Sequence, residues 1–72
     1  MKGKYYYADG SVLDYRDYSK ILHRDDGPAV MHADGSKSWW INGKLHRDDG
    51  PAIEWMDGDN WWYIDGKSLL IY

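Results

Sequence analysis

The chain contains a tandem repeat with a period of 23 residues. Residues 22–44 read LHRDDGPAVMHADGSKSWWINGK and residues 45–67 read LHRDDGPAIEWMDGDNWWYIDGK, so the two segments align without gaps and are identical at 14 of 23 positions. Repeats of this kind are typical of stacked arrays, in which each unit buries its apolar face against its neighbours. We therefore interpret the chain as an array of like units.

The repeat divides one small domain of 72 residues into four parts. Residues 1–21 form a diverged N-terminal cap, residues 22–44 and 45–67 are the repeats, and residues 68–72 form a C-terminal cap strand. Atypical end units are expected in an array, because its outermost faces meet solvent. A core of this size without disulfides supplies little stability, so we also expect the chain to form a homo-oligomer.

Tight-turn dipeptides separate short apolar runs along the whole chain. They are Asp9-Gly10, Asp34-Gly35, Asn42-Gly43, Asp57-Gly58 and Asp65-Gly66. Asp-Gly and Asn-Gly tolerate the positive φ angles of hairpin turns, and no window of ten residues free of glycine and proline shows helical periodicity. The sequence predicts an all-β fold, an antiparallel meander of short hairpins in one curved sheet.

Alternation along the predicted strands assigns the aromatic residues to two faces. The face predicted to form the core contains Trp39, Ile41, Trp62 and Ile64, and the opposite face contains Trp40, Trp61 and Tyr63. On this interpretation Trp62→Ala unfolds the domain, whereas Trp40→Ala or Trp61→Ala leaves the fold intact.

The repeated LHRDDGPA, the aromatic pair before Asn-Gly-Lys and the period of 23 resemble the MORN-like repeats. The likeness covers residues 22–67 and is strongest to the HRxDGPA variant found in small proteins of tailed bacteriophages. Ordinary MORN repeats are richer in Gly and Tyr and lack His-Arg-Asp. The resemblance implies a β-hairpin array in the host cytoplasm, and it leaves the function open because such arrays contact lipids, dock proteins or bind ligands.

Composition excludes several classes of protein. The net charge is −3, with 12 acidic and 9 basic residues, which argues against binding to duplex nucleic acid. Cysteine is absent, so neither a disulfide scaffold nor a thiolate zinc site is available. No apolar run exceeds four residues, as in Trp61–Ile64, which is far too short to cross a membrane, and no secretion leader is evident. We expect a cytoplasmic protein with no membrane partner.

The sequence contains no motif that indicates catalysis. There is no nucleophile elbow, no phosphate-cradling glycine loop and no pair of carboxylates in an apolar setting. The triplet His-Arg-Asp occurs twice, but the chain is too short for a protein kinase. The three histidines are not spaced as metal ligands. We predict a non-enzymatic protein with no cofactor and no bound metal.

Two features are candidates for ligand binding. Arginines and histidines of the repeated triplets have the chemistry to hold a phosphate, although residues repeated in register are more often architectural. Aromatic residues outside the predicted core could instead stack on a planar ligand. The candidate ligand-binding residues are Arg24, Arg47, His23, His46, Trp40, Trp55, Trp61 and Tyr63.

Two functions follow from these candidates. The first is a small phage-encoded oligomeric sponge that sequesters a nucleotide-type immune signal of the host through aromatic stacking and Arg–phosphate contacts. The second is an interaction or assembly module that docks a host protein, or a copy of itself, through an exposed aromatic sheet face. Convergence of arginine and tryptophan in a pocket would favour the first, and an aromatic face buried without a cavity would favour the second.

Overall fold

Strands are the only regular elements of the computed structural model, which describes residues 3–68. They are β1 (Lys4–Tyr6), β2 (Val12–Leu13), β3 (Val30–Met31), β4 (Lys37–Ser38), β5 (Trp40–Ile41), β6 (Lys44–Leu45), β7 (Ile53–Glu54), β8 (Asn60–Trp61), β9 (Tyr63–Ile64) and β10 (Lys67–Ser68). All described strand pairs are antiparallel, so the prediction of an all-β fold of short antiparallel hairpins is confirmed.

The strands form one larger sheet and two separate hairpins. The larger sheet has the order β2-β1-β3-β4-β7-β8, while β5 pairs only with β6 and β9 only with β10 within the described range. The expectation of a single curved sheet is therefore wrong. The chain leaves the larger sheet at Trp39, whose N–H donates to the Ala52 carbonyl (2.7 Å) and whose carbonyl accepts from the His46 N–H (3.0 Å).

The turns follow the dipeptide pattern. Asn42 and Gly43 have φ angles of 50° and 81°, and Asp65 and Gly66 have 51° and 79°, so both short hairpins close with positive φ at the two central residues. That geometry favours Asn-Gly and Asp-Gly because few other residues adopt it without strain. The prediction of tight hairpin turns at these dipeptides is confirmed.

The buried core lies in the N-terminal half of the chain. Its largest members, Tyr7, Leu22 and Val30, form one cluster. The half-buried side chains that pack against this cluster are Tyr5, Leu13 and Trp40. In the second repeat, Ala52 is the one hydrophobic residue among those described that is fully buried. The C-terminal end of the array is therefore less covered than the N-terminal end.

The face assignment of the tryptophans from alternation is wrong. Trp40 packs against the core cluster, whereas Trp39 lies under an arginine outside it, and the ring of Trp62 is 42% exposed. Alternation identifies which residues share a face but not which face is covered. The β5–β6 hairpin is separate from the larger sheet and places Trp40 against Tyr7, Leu22 and Val30.

The two repeats make the same main-chain contacts 23 residues apart. The Arg24 N–H donates to the Trp40 carbonyl (3.1 Å), and the Arg47 N–H donates to the Tyr63 carbonyl (3.2 Å). Equivalent bonds also fasten the tips of β5–β6 and β9–β10, where Gly43 and Gly66 donate to the carbonyls of Leu22 and Leu45. The contacts of one repeat therefore predict those of the other.

Candidate functional site

Each repeated arginine is held between the loop of its own repeat and an aromatic ring of the preceding unit. The guanidinium Cζ of Arg24 lies 3.9 Å from the ring centre of Tyr6, Nε donates to Asp26 (3.0 Å), and Nη1 donates to the Pro28 carbonyl (3.2 Å). Gly27 allows this approach, because a Cβ at that position would stand 3.1 Å from Cζ of Arg24. The Asp-Asp-Gly-Pro sequence thus wraps the arginine of its own triplet.

Arg47 has the same surroundings and one additional partner. Its Cζ lies 3.8 Å from the ring centre of Trp39, Nε donates to Asp49 (3.2 Å), and Nη1 donates to the Pro51 carbonyl (3.1 Å). Nη1 also lies 2.9 Å from Oε2 of Glu54. The first repeat has Met31 at the position of Glu54, so Arg24 lacks this second carboxylate.

The repeated histidines are hydrogen-bonded on both ring nitrogens. Nδ1 of His23 accepts the Asn42 N–H (3.0 Å), and its Nε2 lies 3.0 Å from Asp25. His46 accepts from the Asp65 N–H (3.0 Å) and lies 2.9 Å from Asp48. Since Nδ1 accepts an amide proton, we assign the ring proton to Nε2, which donates to the aspartate. Each imidazole therefore links its triplet to the turn of a separate hairpin, β5–β6 for His23 and β9–β10 for His46.

A groove of about 760 Å³ separates the two LHRDDGP loops, and we call it the arginine groove. Its lining residues are Arg24, Asp25, Asp26, Gly27, Pro28, Trp39, Ile41, His46, Arg47, Asp48 and Asp49. The four aspartates have side chains between 84% and 88% exposed, and they outnumber the two guanidinium groups. These carboxylates repel a phosphate, so the arginine groove is poorly suited to an anionic ligand.

A second groove, of about 310 Å³, contains an arginine with very different surroundings; we call it the Arg16 groove. Its lining residues are Tyr5, Arg16, Tyr18, Leu22, Val30, His32, Ser38 and Trp40. No carboxylate lines it. Three aromatic rings and an imidazole line this groove together with one guanidinium.

Arg16 is not satisfied by its neighbours. Its Cζ lies 4.7 Å from the ring centre of Tyr18, and its buried Nη1 has no hydrogen-bond partner among the described residues. A buried donor left unpaired costs about 1–3 kcal/mol, and more when it is charged. A ligand that brings an acceptor to Nη1 recovers part of that cost.

The loop that carries Arg16 is fixed to the core by Tyr7. The Tyr7 hydroxyl accepts the Asp17 N–H (2.8 Å) and donates to the Tyr15 carbonyl (3.1 Å). On the other wall of the groove, the rings of Tyr5 and His32 meet edge to face at 6.2 Å. The indole Nε1 of Trp40 donates to Ser38 (2.8 Å), which fixes the orientation of the ring.

An ion pair ties the end of this loop to the turn that follows β1. Lys20 Nζ lies 2.5 Å from Oδ2 of Asp9. The hydrogen bond from Lys20, with further bonds from Ser11, holds the pKa of Asp9 well below its ordinary value. Hydrogen bonds from Ser19 likewise lower the pKa of Asp17. Both carboxylates act as acceptors that shape turns on either side of Arg16.

The structure separates the eight residues singled out from the sequence into three places. Arg24, Arg47 and His46 line the arginine groove, with His23 at the adjoining turn, and Trp40 lines the Arg16 groove. Trp55, Trp61 and Tyr63 line neither groove and lie in the second repeat. Sequence reasoning missed Arg16, although it is the one arginine outside the repeated triplets.

The described residues offer no metal site and no membrane span. No three His, Asp or Glu side chains among them come together as a candidate cation site. Residues 3–68 also contain no helix with the length and apolarity needed to cross a bilayer. Comparison of the chain with protein-family models, with curated proteins and with solved structures finds no match.

Proposed function

We propose that the protein is a non-catalytic binding protein that sequesters a small planar anion of the nucleotide type in the Arg16 groove. The observation that carries this proposal is the buried, unpaired Nη1 of Arg16 in a groove walled by aromatic rings and free of carboxylates. Tyr5, Tyr18 and Trp40 supply surfaces on which a base can stack, at about 1–3 kcal/mol per base. Arg16 supplies the contact to the phosphate.

The volume of the groove sets the size of the ligand. Ligand pockets start at about 300 Å³, and the Arg16 groove, at about 310 Å³, is at that lower limit. One nucleotide therefore suits a single chain, and a larger signal requires a second copy to complete the site. We propose that the protein acts as an oligomeric sponge in the cytoplasm of the host cell, the setting that the resemblance of residues 22–67 to the MORN-like repeats of small phage proteins implies.

Binding is tested by native mass spectrometry and calorimetry with adenosine, AMP, cyclic AMP, a cyclic dinucleotide and inorganic phosphate. We expect AMP to bind more tightly than adenosine or phosphate alone, because base and phosphate each contact a different wall. Arg16→Gln should weaken binding of AMP by at least tenfold, while Lys37→Gln, an exposed substitution outside the groove, should leave it unchanged. Equal binding by the Arg16→Gln variant would contradict the proposal.

Removal of carboxylates from one groove distinguishes which of the two grooves binds the ligand. Asp25→Asn with Asp48→Asn removes two carboxylates from the arginine groove and none from the Arg16 groove. Tighter AMP binding by this variant would place the ligand in the arginine groove, whereas unchanged binding supports the Arg16 groove.

A second candidate function is a protein-interaction module, and the exposure of the C-terminal aromatic residues favours it. Trp55, Trp61 and Trp62 are 46%, 40% and 42% exposed, beside Met56 at 66%. Exposed tryptophan and methionine are enriched at protein interfaces. This role would be supported if the whole nucleotide panel failed to bind while Trp61→Ala changed the oligomeric state of the chain.

A further inference from the structure

Three triplets, each with at least two aromatic residues, occupy equivalent places in the array. They are Tyr5–Tyr7, Ser38–Trp40 and 61–63. The middle residues of the first two make the same bonds: the N–H of Tyr6 donates to the Ala29 carbonyl (2.8 Å), and that of Trp39 donates to the Ala52 carbonyl (2.7 Å). Trp62 is the middle residue of the third triplet.

The following unit contacts each of the first two middle residues in three ways. Besides the bond to its alanine carbonyl, it donates the N–H of His23 to the Tyr6 carbonyl and that of His46 to the Trp39 carbonyl, both at 3.0 Å. Its arginine then lies over the ring, 3.9 Å from the centre of Tyr6 and 3.8 Å from that of Trp39. All three contacts come from one His-Arg-Asp-Asp-Gly-Pro-Ala segment.

Trp62 presents this binding surface without an occupant among residues 3–68. No described guanidinium lies over its ring, which is 42% exposed, and the neighbouring β8 is an edge strand of the larger sheet. The period of 23 places position 70 in register with Arg24 and Arg47, and the sequence has leucine there. Among the described residues, Trp62 therefore has the position of Tyr6 and Trp39 without the guanidinium that covers each of those rings.

We propose that Trp62 and the adjoining edge of the sheet dock a His-Arg-Asp-Asp-Gly-Pro-Ala segment of another protein chain. The partner adds main-chain bonds along the edge, as in strand addition, and places its arginine on the indole face of Trp62. This proposal is independent of the Arg16 groove, because none of its residues lines that groove.

The probe is a nonapeptide with the sequence of residues 22–30, LHRDDGPAV, titrated into the full chain by calorimetry. We expect saturable binding that weakens about tenfold, or by about 1.4 kcal/mol, when the peptide arginine is replaced by alanine and the guanidinium–indole contact is lost. Trp62→Leu should weaken binding to a similar degree. Trp55→Leu is the matched control, since its ring is equally exposed but lies outside the equivalent position.

Two outcomes overturn the proposal. One is a full chain that does not bind the nonapeptide at millimolar concentration although its circular dichroism shows it folded. The other is binding that the alanine peptide reproduces, or that Trp55→Leu weakens as much as Trp62→Leu, since a non-specific apolar contact behaves in that way. Loss of nucleotide binding in the Arg16→Gln variant affects neither outcome.

Discussion

Arg47 lies over Trp39, with the guanidinium Cζ 3.8 Å from the centre of the indole ring. Its Nη1 meanwhile contacts Glu54 from the adjoining β7 strand and the carbonyl of Pro51. One arginine thus joins the aromatic residue of the first repeat to the loop and the strand of the second. The repeated His-Arg-Asp triplet therefore connects neighbouring units of the array.

The contact between Arg47 and Trp39 should appear as a coupling energy. We expect a double-mutant cycle of Arg47→Ala and Trp39→Leu, measured by urea unfolding, to give a coupling of about 1 kcal/mol, as found for partly desolvated cation–π pairs. The matching cycle of Arg47→Ala and Trp62→Leu should give no coupling. Equal coupling in both cycles would show that the indole of Trp39 is not the platform.

We expect alanine substitution at two tryptophans to differ in its effect on stability, because only one of the two rings packs on the core. Trp40→Ala removes a ring packed on Tyr7, Leu22 and Val30 and should cost about 3–5 kcal/mol, enough to unfold so small a domain. Trp62→Ala should leave the chain folded, because its ring is 42% exposed. Far-ultraviolet circular dichroism and thermal melts of both variants measure this difference. A folded Trp40→Ala protein would contradict the placement of the core.

We expect position 27 to require glycine because a side chain there would crowd Arg24, and not because of the backbone angle. Its φ is not in the positive range, but a Cβ there would stand 3.1 Å from Cζ of Arg24. We expect Gly27→Ala to cost about 1 kcal/mol in the native protein and much less in an Arg24→Ala background. Gly10→Ala is the control, because nothing lies within 4 Å and only its φ of 87° opposes the substitution. Its cost should not depend on Arg24.

Acid should destabilise the fold through the turn aspartates. The pKa values of Asp9, Asp17 and Asp34 all lie below the ordinary 3.8 because lysine or serine groups donate hydrogen bonds to their carboxylates. The unfolded chain therefore takes up protons at a higher pH than the native chain does. Stability that is fully present above about pH 5 is lost as the pH falls below 3.8 toward the lower native values.

The urea midpoint measured between pH 6 and pH 2 tests this dependence. Lys20→Gln removes the main donor to Asp9 and should flatten the part of the curve that Asp9 contributes. High salt should also reduce the effect, since the pair of Lys20 and Asp9 is on the surface. A midpoint that stays constant down to pH 2 would contradict the prediction.

The tight turns and the strand class could be read from the sequence because they depend on local chemistry. Asn42-Gly43 and Asp65-Gly66 adopt the positive φ angles that their side chains tolerate, whatever lies around them. The repeat likewise predicts that Arg24 and Arg47 have like surroundings, and their contacts with Asp26 and Asp49 agree. Local preference and internal symmetry were sufficient for these features.

The Arg16 groove could not be predicted in the same way. Arg16 lies outside the repeat, and its relation to Tyr5, His32 and Trp40 depends on where the loop after β2 lies. The loop position is set by the Tyr7 hydroxyl, which bridges to the main chain at Tyr15 and at Asp17. Nothing in the spacing of these residues indicates such a bridge.

The sequence by itself determined the all-β class, the turns and the recurrence of the arginine contacts, because φ preferences and repeated residues act over a few positions. Only the tertiary structure decided which aromatic residues are covered. Trp39 and Trp40 are neighbours with the same chemistry, yet one lies under Arg47 and the other on the core. The difference arises because the chain leaves the sheet at Trp39, and burial depends on which face the next hairpin then covers.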